Sequence, residues 1–360
     1  MRKNIIYLGI LLLLLLLSWW VYQQRTSSTL DLEDTTFSIP DTSVVDRIFM
    51  ADKTGGRVLL EKAGPGQWKV NGQYTARPDA MSALLDALLR MQVKSPVPRP
   101  AVDNIRKQLA SIGRKVEIYS RGKKLSVLYI GYSTIDSRGT YAIREGAELP
   151  YILHVPGTEG YLTPRFFINE EEWRERILLR IHPDSIKSIE ARFPDTPGFS
   201  YRAELLGPRR FALYDGSGKP ISALSNENLT ALFGGARQIP VEGYDNHGVM
   251  KDSIVEMAPM RHSLNITLRN GQSHQLSFYP KSQLNQLDVV LLGVMPDLDR
   301  DYFYYKEGND FGFIQKRSVP WMYFTLRDLI QANGRSAFTR MKLSSYLCRF
   351  VGLEPPTDPR

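Results

Sequence analysis

A single cysteine in 360 residues excludes any intramolecular disulfide and any thiolate metal cage. Cys348 stands in SSYLCRFVGL between apolar neighbours, the setting of a small hydrophobe rather than of a nucleophile with a base beside it. Basic runs are lacking as well, since no stretch of Lys or Arg exceeds two residues. The formal charge is +8, but Arg2, Lys3 and Arg25 fall within an N-terminal segment that holds no acid. The remaining chain carries 43 basic against 38 acidic residues, which is a mixed, solvated surface and no nucleic-acid footprint. Histidine is scarce: His154, His182, His247, His262 and His274 include no i, i+4 pair and no H-E-x-x-H.

Catalytic signatures are equally absent. No G-x-S-x-G elbow occurs, and no glycine-rich fingerprint opens a helix after a parallel strand. DGSGK at 215–219 resembles a phosphate loop, but Pro220 stands where Ser or Thr is needed, so it reads as a hairpin turn. HPD at 182–184 resembles the J-domain tripeptide, yet a strand follows it and it reads as a helix stop. The glutamates of NEEEWRER fit the positive end of a helix dipole without any catalytic role. No catalytic residue, metal ligand or cofactor is therefore expected.

One long apolar run is present. MRKNIIYLGILLLLLLLSWWVYQQR holds 18 mostly apolar residues from Ile5 to Tyr22, about 27 Å of helix, close to the hydrocarbon thickness of a bilayer. Ile5, Leu11 and Leu17 lie within it, and Trp19, Trp20 and Tyr22 stand where an aromatic belt belongs. A signal peptide would end in small residues, and Ser-Trp-Trp-Val-Tyr-Gln-Gln offers none. Residues 1–25 thus read as an uncleaved anchor, with Arg2 and Lys3 on the cytoplasmic side. Residues 26–41 read as a polar tether that ends in a first edge strand, TTFSI.

After the tether the chain alternates short β-rich runs with Gly and Asn-Gly turns. QWKVNGQYTARPDAMSALLDALLRMQ, residues 67–92, runs from a Trp strand into a helix opened by Pro78 and Asp79, whose apolar face is Met81, Leu84, Leu85, Leu88 and Leu89. About 140 to 160 residues later the pattern recurs. SIKSIEARF answers SVVDRIFMAD, FSYRAELLG answers GRVLLEK, and RRFALYD answers GQWKV. SNENLTALFGGA, capped by Ser225, answers the first helix. HSLNITLRNGQSHQLSFYP answers KVEIYSRGKKLSVLYIG, while RDYFYYKEG and DFGFIQK answer TYAIRE and PYILHVP. The expected fold class is α+β: two repeated modules of mainly antiparallel sheet, each packed by one helix, after an N-terminal transmembrane helix. The module bounds are 42–168 and 169–330, with Asn169 capping a short helix at the join and 331–360 as a tail.

One run invites a contact role. Tyr302, Phe303, Tyr304 and Tyr305 alternate faces on a strand, so one pair is core and the other either packs in a second apolar layer or is exposed to a partner or glycan.

SVVDRIFMAD, the Trp-strand-to-helix stretch, YLTPRFFINEEEWRERILLRIHPDSIKSIEARF and the single N-terminal helix together resemble a bacterial family known only as domain of unknown function 4340. The resemblance implies a membrane-tethered envelope protein, often encoded beside ABC-transporter components, and carries over no active site. The expected protein spans the inner membrane of a Gram-negative bacterium once and holds its bulk in the periplasm. Its expected role is binding or scaffolding beside an integral-membrane or periplasmic protein of a transport complex. The alternatives are a tethered envelope hydrolase with a dispersed site, or a glycan- or peptide-binding module.

Overall fold

The computed structural model describes residues 13–20, 35–284, 286–292 and 295–330. It is a mixed α+β protein dominated by two large antiparallel sheets, and it divides into two compact units between Arg174 and Glu175.

Unit 1 contains β1 (Arg47–Ala51), β2 (Arg57–Gly64), β3 (Gln67–Val70), β4 (Tyr74–Thr75), α1 (Pro78–Arg90), β5 (Gln92–Pro96) and α2 (Val102–Ile112). It continues through β6 (Arg114–Ser120), β7 (Lys123–Ser133), β8 (Thr140–Arg144), β9 (Tyr151–His154) and α3 (Glu170–Trp173). Unit 2 opens with β10 (Ile177–Arg180), β11 (Ile186–Arg192), β12 (Tyr201–Gly207), β13 (Arg210–Asp215), β14 (Pro220–Ile221), α4 (Asn226–Gly235), β15 (Gln238–Pro240) and β16 (Gly243–Tyr244). It is completed by α5 (Lys251–Met257), β17 (His262–Leu268), β18 (Ser273–Ser282), α6 (Leu287–Leu291), β19 (Pro296–Tyr305), β20 (Asp310–Gln315) and α7 (Leu326–Leu329).

The two nine-stranded sheets have the same order. In unit 1 it is β4-β3-β2-β1-β6-β7-β8-β9-β5, and in unit 2 it is β14-β13-β12-β11-β17-β18-β19-β20-β16. Register aligns them residue by residue. Ile48 stands opposite Leu60 and Ile118, as Ile189 stands opposite Ala203 and Ile266. Trp68 faces Lys62 across β2 and β3, and Phe211 faces Leu205 across β12 and β13, so the two aromatics occupy equivalent positions. Alternation drives the burial: in β1 Ile48 and Met50 point into the core while Arg47, Phe49 and Ala51 face the other way. Turn chemistry fixes the hairpins. Asn71 and Gly72 both take positive φ, 50° and 71°, which few residue pairs other than Asn-Gly accept.

Each core sits between one sheet face and one helix. Helix α1 begins at Pro78, whose missing N–H costs nothing at the first helical position, and buries Ala80, Met81, Leu84, Ala87 and Leu88. Leu89, placed on the apolar face by its spacing, is exposed. Helix α4 is capped by Ser225, as its sequence indicates, and buries Leu229, Leu232 and Phe233. Trp68 lies in the unit 1 core at 4% exposure. Trp68→Ala is therefore expected to cost about 3 kcal/mol in urea unfolding of unit 1. Phe211→Ala should cost less, because Phe211 is half-buried and stacks on Phe233 at 5.5 Å. Similarly small losses at both sites would show that Trp68 is not a core residue.

Four features differ from expectation. Each module has a second helix, α2 or α5, packed on the opposite sheet face around Ile105 and Leu109 or Ile254 and Ala258. Residues 35–41 form no strand and are no free tether, since Phe37 and Ile39 are buried in the unit 1 core and the Ile39 N–H donates to Leu88 O at 2.8 Å. Ile181 does the same in unit 2, donating to Arg237 O at 2.8 Å, so the repeat begins upstream of residue 42. The helix capped by Asn169 is a single turn that ends at Trp173, and strand β10 lies between it and Pro183.

That turn closes unit 1 and does not open unit 2. The Arg77 N–H donates to Trp173 O at 2.7 Å and Ala76 bridges Arg174. In unit 2 the Ser225 N–H donates to Leu329 O at 2.8 Å and Leu224 bridges Ile330. Asn169 and Thr325 cap the two equivalent turns. The repeat therefore runs from about residue 35 to Arg174, and again to Ile330.

Residues 13–20 are helical, and Leu13 to Leu17, Trp19 and Trp20 are exposed. Among the described residues no helix is long and apolar enough to cross a membrane. Ile5, Leu11 and Tyr22 lie outside the described residues, as do Cys348 and the rest of the tail.

Candidate functional site

The repeat shows where chemistry has been added, because each unit is a control for the other. Arg114 lies opposite Ile130 and His262 opposite Phe278, at equivalent sites on β6 and β17. Both hold a closing 3-10 turn onto the sheet. Arg114 donates to the carbonyls of Thr163 and Phe166, both at 2.7 Å. His262 Nε2 donates to Met322 O at 3.1 Å. A carbonyl only accepts, so the ring proton sits on Nε2, and Nδ1 has no hydrogen-bond partner. The ring is fully buried and sandwiched between Phe278 at 4.5 Å and Phe193 at 5.2 Å. Burial, reinforced by the nearby charges of Arg261 and Lys316, pushes its pKa down to about 3.

Around this ring, unit 2 buries charges that unit 1 lacks. Asp301 is fully buried, with Lys316 Nζ at 3.2 Å and Arg261 Nε at 3.3 Å from its two oxygens. Lys316 Nζ also donates to Asp297 O at 3.1 Å. Thr140 and Leu153 form the pair equivalent to Asp301 and Ile314, so the Asp301 site holds Thr140 in unit 1. Two residues beyond Ile314 and Leu153 stand Lys316 and Val155. Burial raises the Asp301 carboxyl and lowers the Lys316 ammonium, and in each case the ion pair opposes the shift. Two cations already occupy the carboxylate, and the cluster has no nucleophile. Its chemistry is cohesion: it pins β20 and the turn that follows to β17 and β19.

The residues singled out by sequence are dispersed. Tyr302 and Tyr304 pack against α5 and α6, whereas Phe303 and Tyr305 belong to the α4-side core. Three of the four are buried, with Tyr302 at 2%, Phe303 at 0% and Tyr305 at 8%, and Tyr304 is half-buried. The run is core on both faces of β19 rather than a strip open to a partner or glycan, because helices cover both sides there. His154 and His274 lie on strands, and His182 and His247 are exposed. The five do not converge. Among the described residues no group of three or more His, Cys, Asp or Glu could hold a metal ion. DGSGK closes the β13–β14 hairpin, with Gly218 at φ 88°.

Half-buried apolar, aromatic and charged side chains share the outer face of β2, β1 and β6 in unit 1, beside the part of β7 that α2 covers. Leu59, Phe49, Glu117 and Val127 stand in one row across the strands. Arg47 is stacked over Tyr119 at 4.2 Å. Glu117 accepts from Tyr119 and lies 2.8 Å from Lys115 and 3.3 Å from Lys124. Partial burial raises its pKa, but these three donors more than offset that and hold it at about 2. In unit 2, Glu190 pairs with Arg202 where Phe49 pairs with Leu59, and Asn265 and Gln275 replace Glu117 and Val127. That row is polar in unit 2, with Tyr214 standing beside Arg202. In unit 1 the same row is apolar except for Glu117 and is flanked by fixed charge.

The fold and this surface define a duplicated antiparallel sheet protein whose modules have diverged in their faces. Residues 68–210 match the model of a family described as Domain of unknown function (DUF4340). The match begins at Trp68 and stops one residue short of Phe211, its structural equivalent, so it covers one full period of the repeat out of phase with the units. No curated protein and no solved structure matches the chain.

Proposed function

We propose that this chain is a membrane-anchored periplasmic binding or scaffold protein that acts by contact, as an accessory to an envelope transport complex of the ABC type. The observation that carries the reading is the divergence of the two outer faces. In unit 2 the row of Glu190, Arg202, Asn265 and Gln275 is polar, while the same row in unit 1 holds the half-buried Phe49 and Leu59 beside Tyr119 and fixed charges, a composition that suits a protein contact.

The N-terminal apolar segment, Ile5 to Tyr22, supplies the anchor in this reading. Because packing begins at Phe37, only residues 23–36 separate that segment from unit 1. Fourteen residues reach at most about 50 Å, so the partner surface lies close to the membrane.

The variant Phe49→Glu/Leu59→Arg installs the pair that unit 2 already carries at Glu190 and Arg202, which keeps the sheet compatible. Affinity purification of carbonate-resistant membranes through a C-terminal tag is expected to recover an integral-membrane partner with the wild type. The folded double variant should lose it. Retention of every partner by that variant, or release of the wild type by carbonate, would overturn the reading.

A further inference from the structure

Unit 1 contains a pocket of about 390 Å3 between the segment after residue 35 and the β7–β8 hairpin, bordered by Ser38, Ile39, Val44, Leu125, Ser126 and Arg144. Its volume is in the range of small-molecule sites. Unit 2 shows what the same place looks like when it is filled. Leu128 pairs with Arg144 where Leu276 pairs with Tyr305, and Ile118 pairs with Ser126 where Ile266 pairs with His274. Arg144 therefore replaces Tyr305, and Ser126 replaces His274.

In unit 2 the phenol of Tyr305 is only 8% exposed, belongs to the core and hydrogen-bonds His274 Nδ1 at 2.8 Å. Unit 1 has exchanged an aromatic ring and an imidazole for a guanidinium and a hydroxyl at the same two positions. That exchange leaves room for a ring and adds an anion anchor beside it.

We infer that this pocket binds a small aromatic carboxylate, whose ring takes the place that Tyr305 fills in unit 2. Ile39, Val44 and Leu125 offer the ring an apolar wall. Arg144 supplies the carboxylate with two parallel N–H donors, a geometry that its five donors permit alongside its existing contacts. Ser38 and Ser126 supply hydroxyls. Asp41, at the rim, is already engaged by the Ser43 N–H at 2.9 Å. The carboxylate can come from a free acid or from the C-terminal residue of a peptide, which present the same chemistry.

The test is calorimetric titration of the full chain with 4-hydroxyphenylacetate and with a tetrapeptide ending in Tyr, as free acid and as amide. Saturable binding of both acids and at least about tenfold weaker binding of the amide are expected. A peptide acid tenfold tighter than the small acid identifies a chain terminus as the source, and equal affinities identify a free acid. The variant Arg144→Tyr/Ser126→His rebuilds the unit 2 filling and should lose binding at least tenfold while remaining folded. Leu125→Trp, at an exposed position on the rim, blocks the mouth and should do the same if the double variant fails to fold. Absence of saturation by either acid up to about 10 mM, or undiminished binding in the blocked variants, would overturn the inference.

Discussion

Asp301→Ala is expected to destabilise unit 2 by about 3 to 5 kcal/mol, read as a fall in its urea midpoint with an unchanged slope. The carboxylate is fully buried against Lys316 and Arg261, and removing it takes the counter-charge from the buried ammonium, which keeps its hydrogen bond to Asp297 O. Arg261 is 20% exposed and can turn toward water, so Lys316 carries most of the cost. The repeat supplies the control. Unit 1 folds with Thr140 and Val155 at the sites of Asp301 and Lys316, so Asp301→Thr/Lys316→Val removes both charges together. A buried pair replaced as a whole costs far less than a pair broken in half, and the double variant is expected to recover most of the loss. If it were no more stable than Asp301→Ala, the cluster would not act as a unit.

Much of this architecture was legible because its signals are local. Strands with β-branched runs and Asn-Gly or Gly turns declared themselves, and so did helices opened by Pro78 or capped by Ser225. The duplication followed from their order alone. Helix α2 was missed because VDNIRKQLASI buries only Ile105 and Leu109, too thin a stripe to stand out, and α5 has seven residues. Phe37 and Ile39 were hidden in a polar segment whose packing depends on α1, some fifty residues away. The Tyr302 to Tyr305 run was conspicuous, but sequence could not tell a two-sided core strand from an exposed strip, because the covering helices α5 and α6 are themselves weak signals. The open face, the ion cluster and the pocket had no sequence signature. Each joins residues that are distant in the sequence, and each became visible only when one module was laid against the other.

Acidification is expected to destabilise unit 2 through His262. Its folded pKa of about 3 lies well below the ordinary 6.5, so the unfolded chain takes up the proton first as pH falls. The stability associated with the neutral ring is thus present in full above about pH 6.5 and is lost progressively as pH falls toward 3. At about 1.4 kcal/mol per pH unit, the loss attributable to this one ring is about 2 kcal/mol at pH 5 and about 4 to 5 kcal/mol when complete. His262→Phe isolates it, because a phenyl ring preserves the stack between Phe278 and Phe193 but cannot titrate. It also strips the Met322 carbonyl of its donor, so the variant should be about 1 to 3 kcal/mol less stable than the wild type at pH 7.5. Carboxylates elsewhere titrate in both proteins and cancel in the difference. Urea unfolding at intervals from pH 7.5 to 4 should therefore show the wild-type advantage shrinking from about pH 6.5 downward and reversing sign between about pH 6 and 4. A difference between the two proteins that stays constant across that range would mean that His262 is not held neutral by its burial.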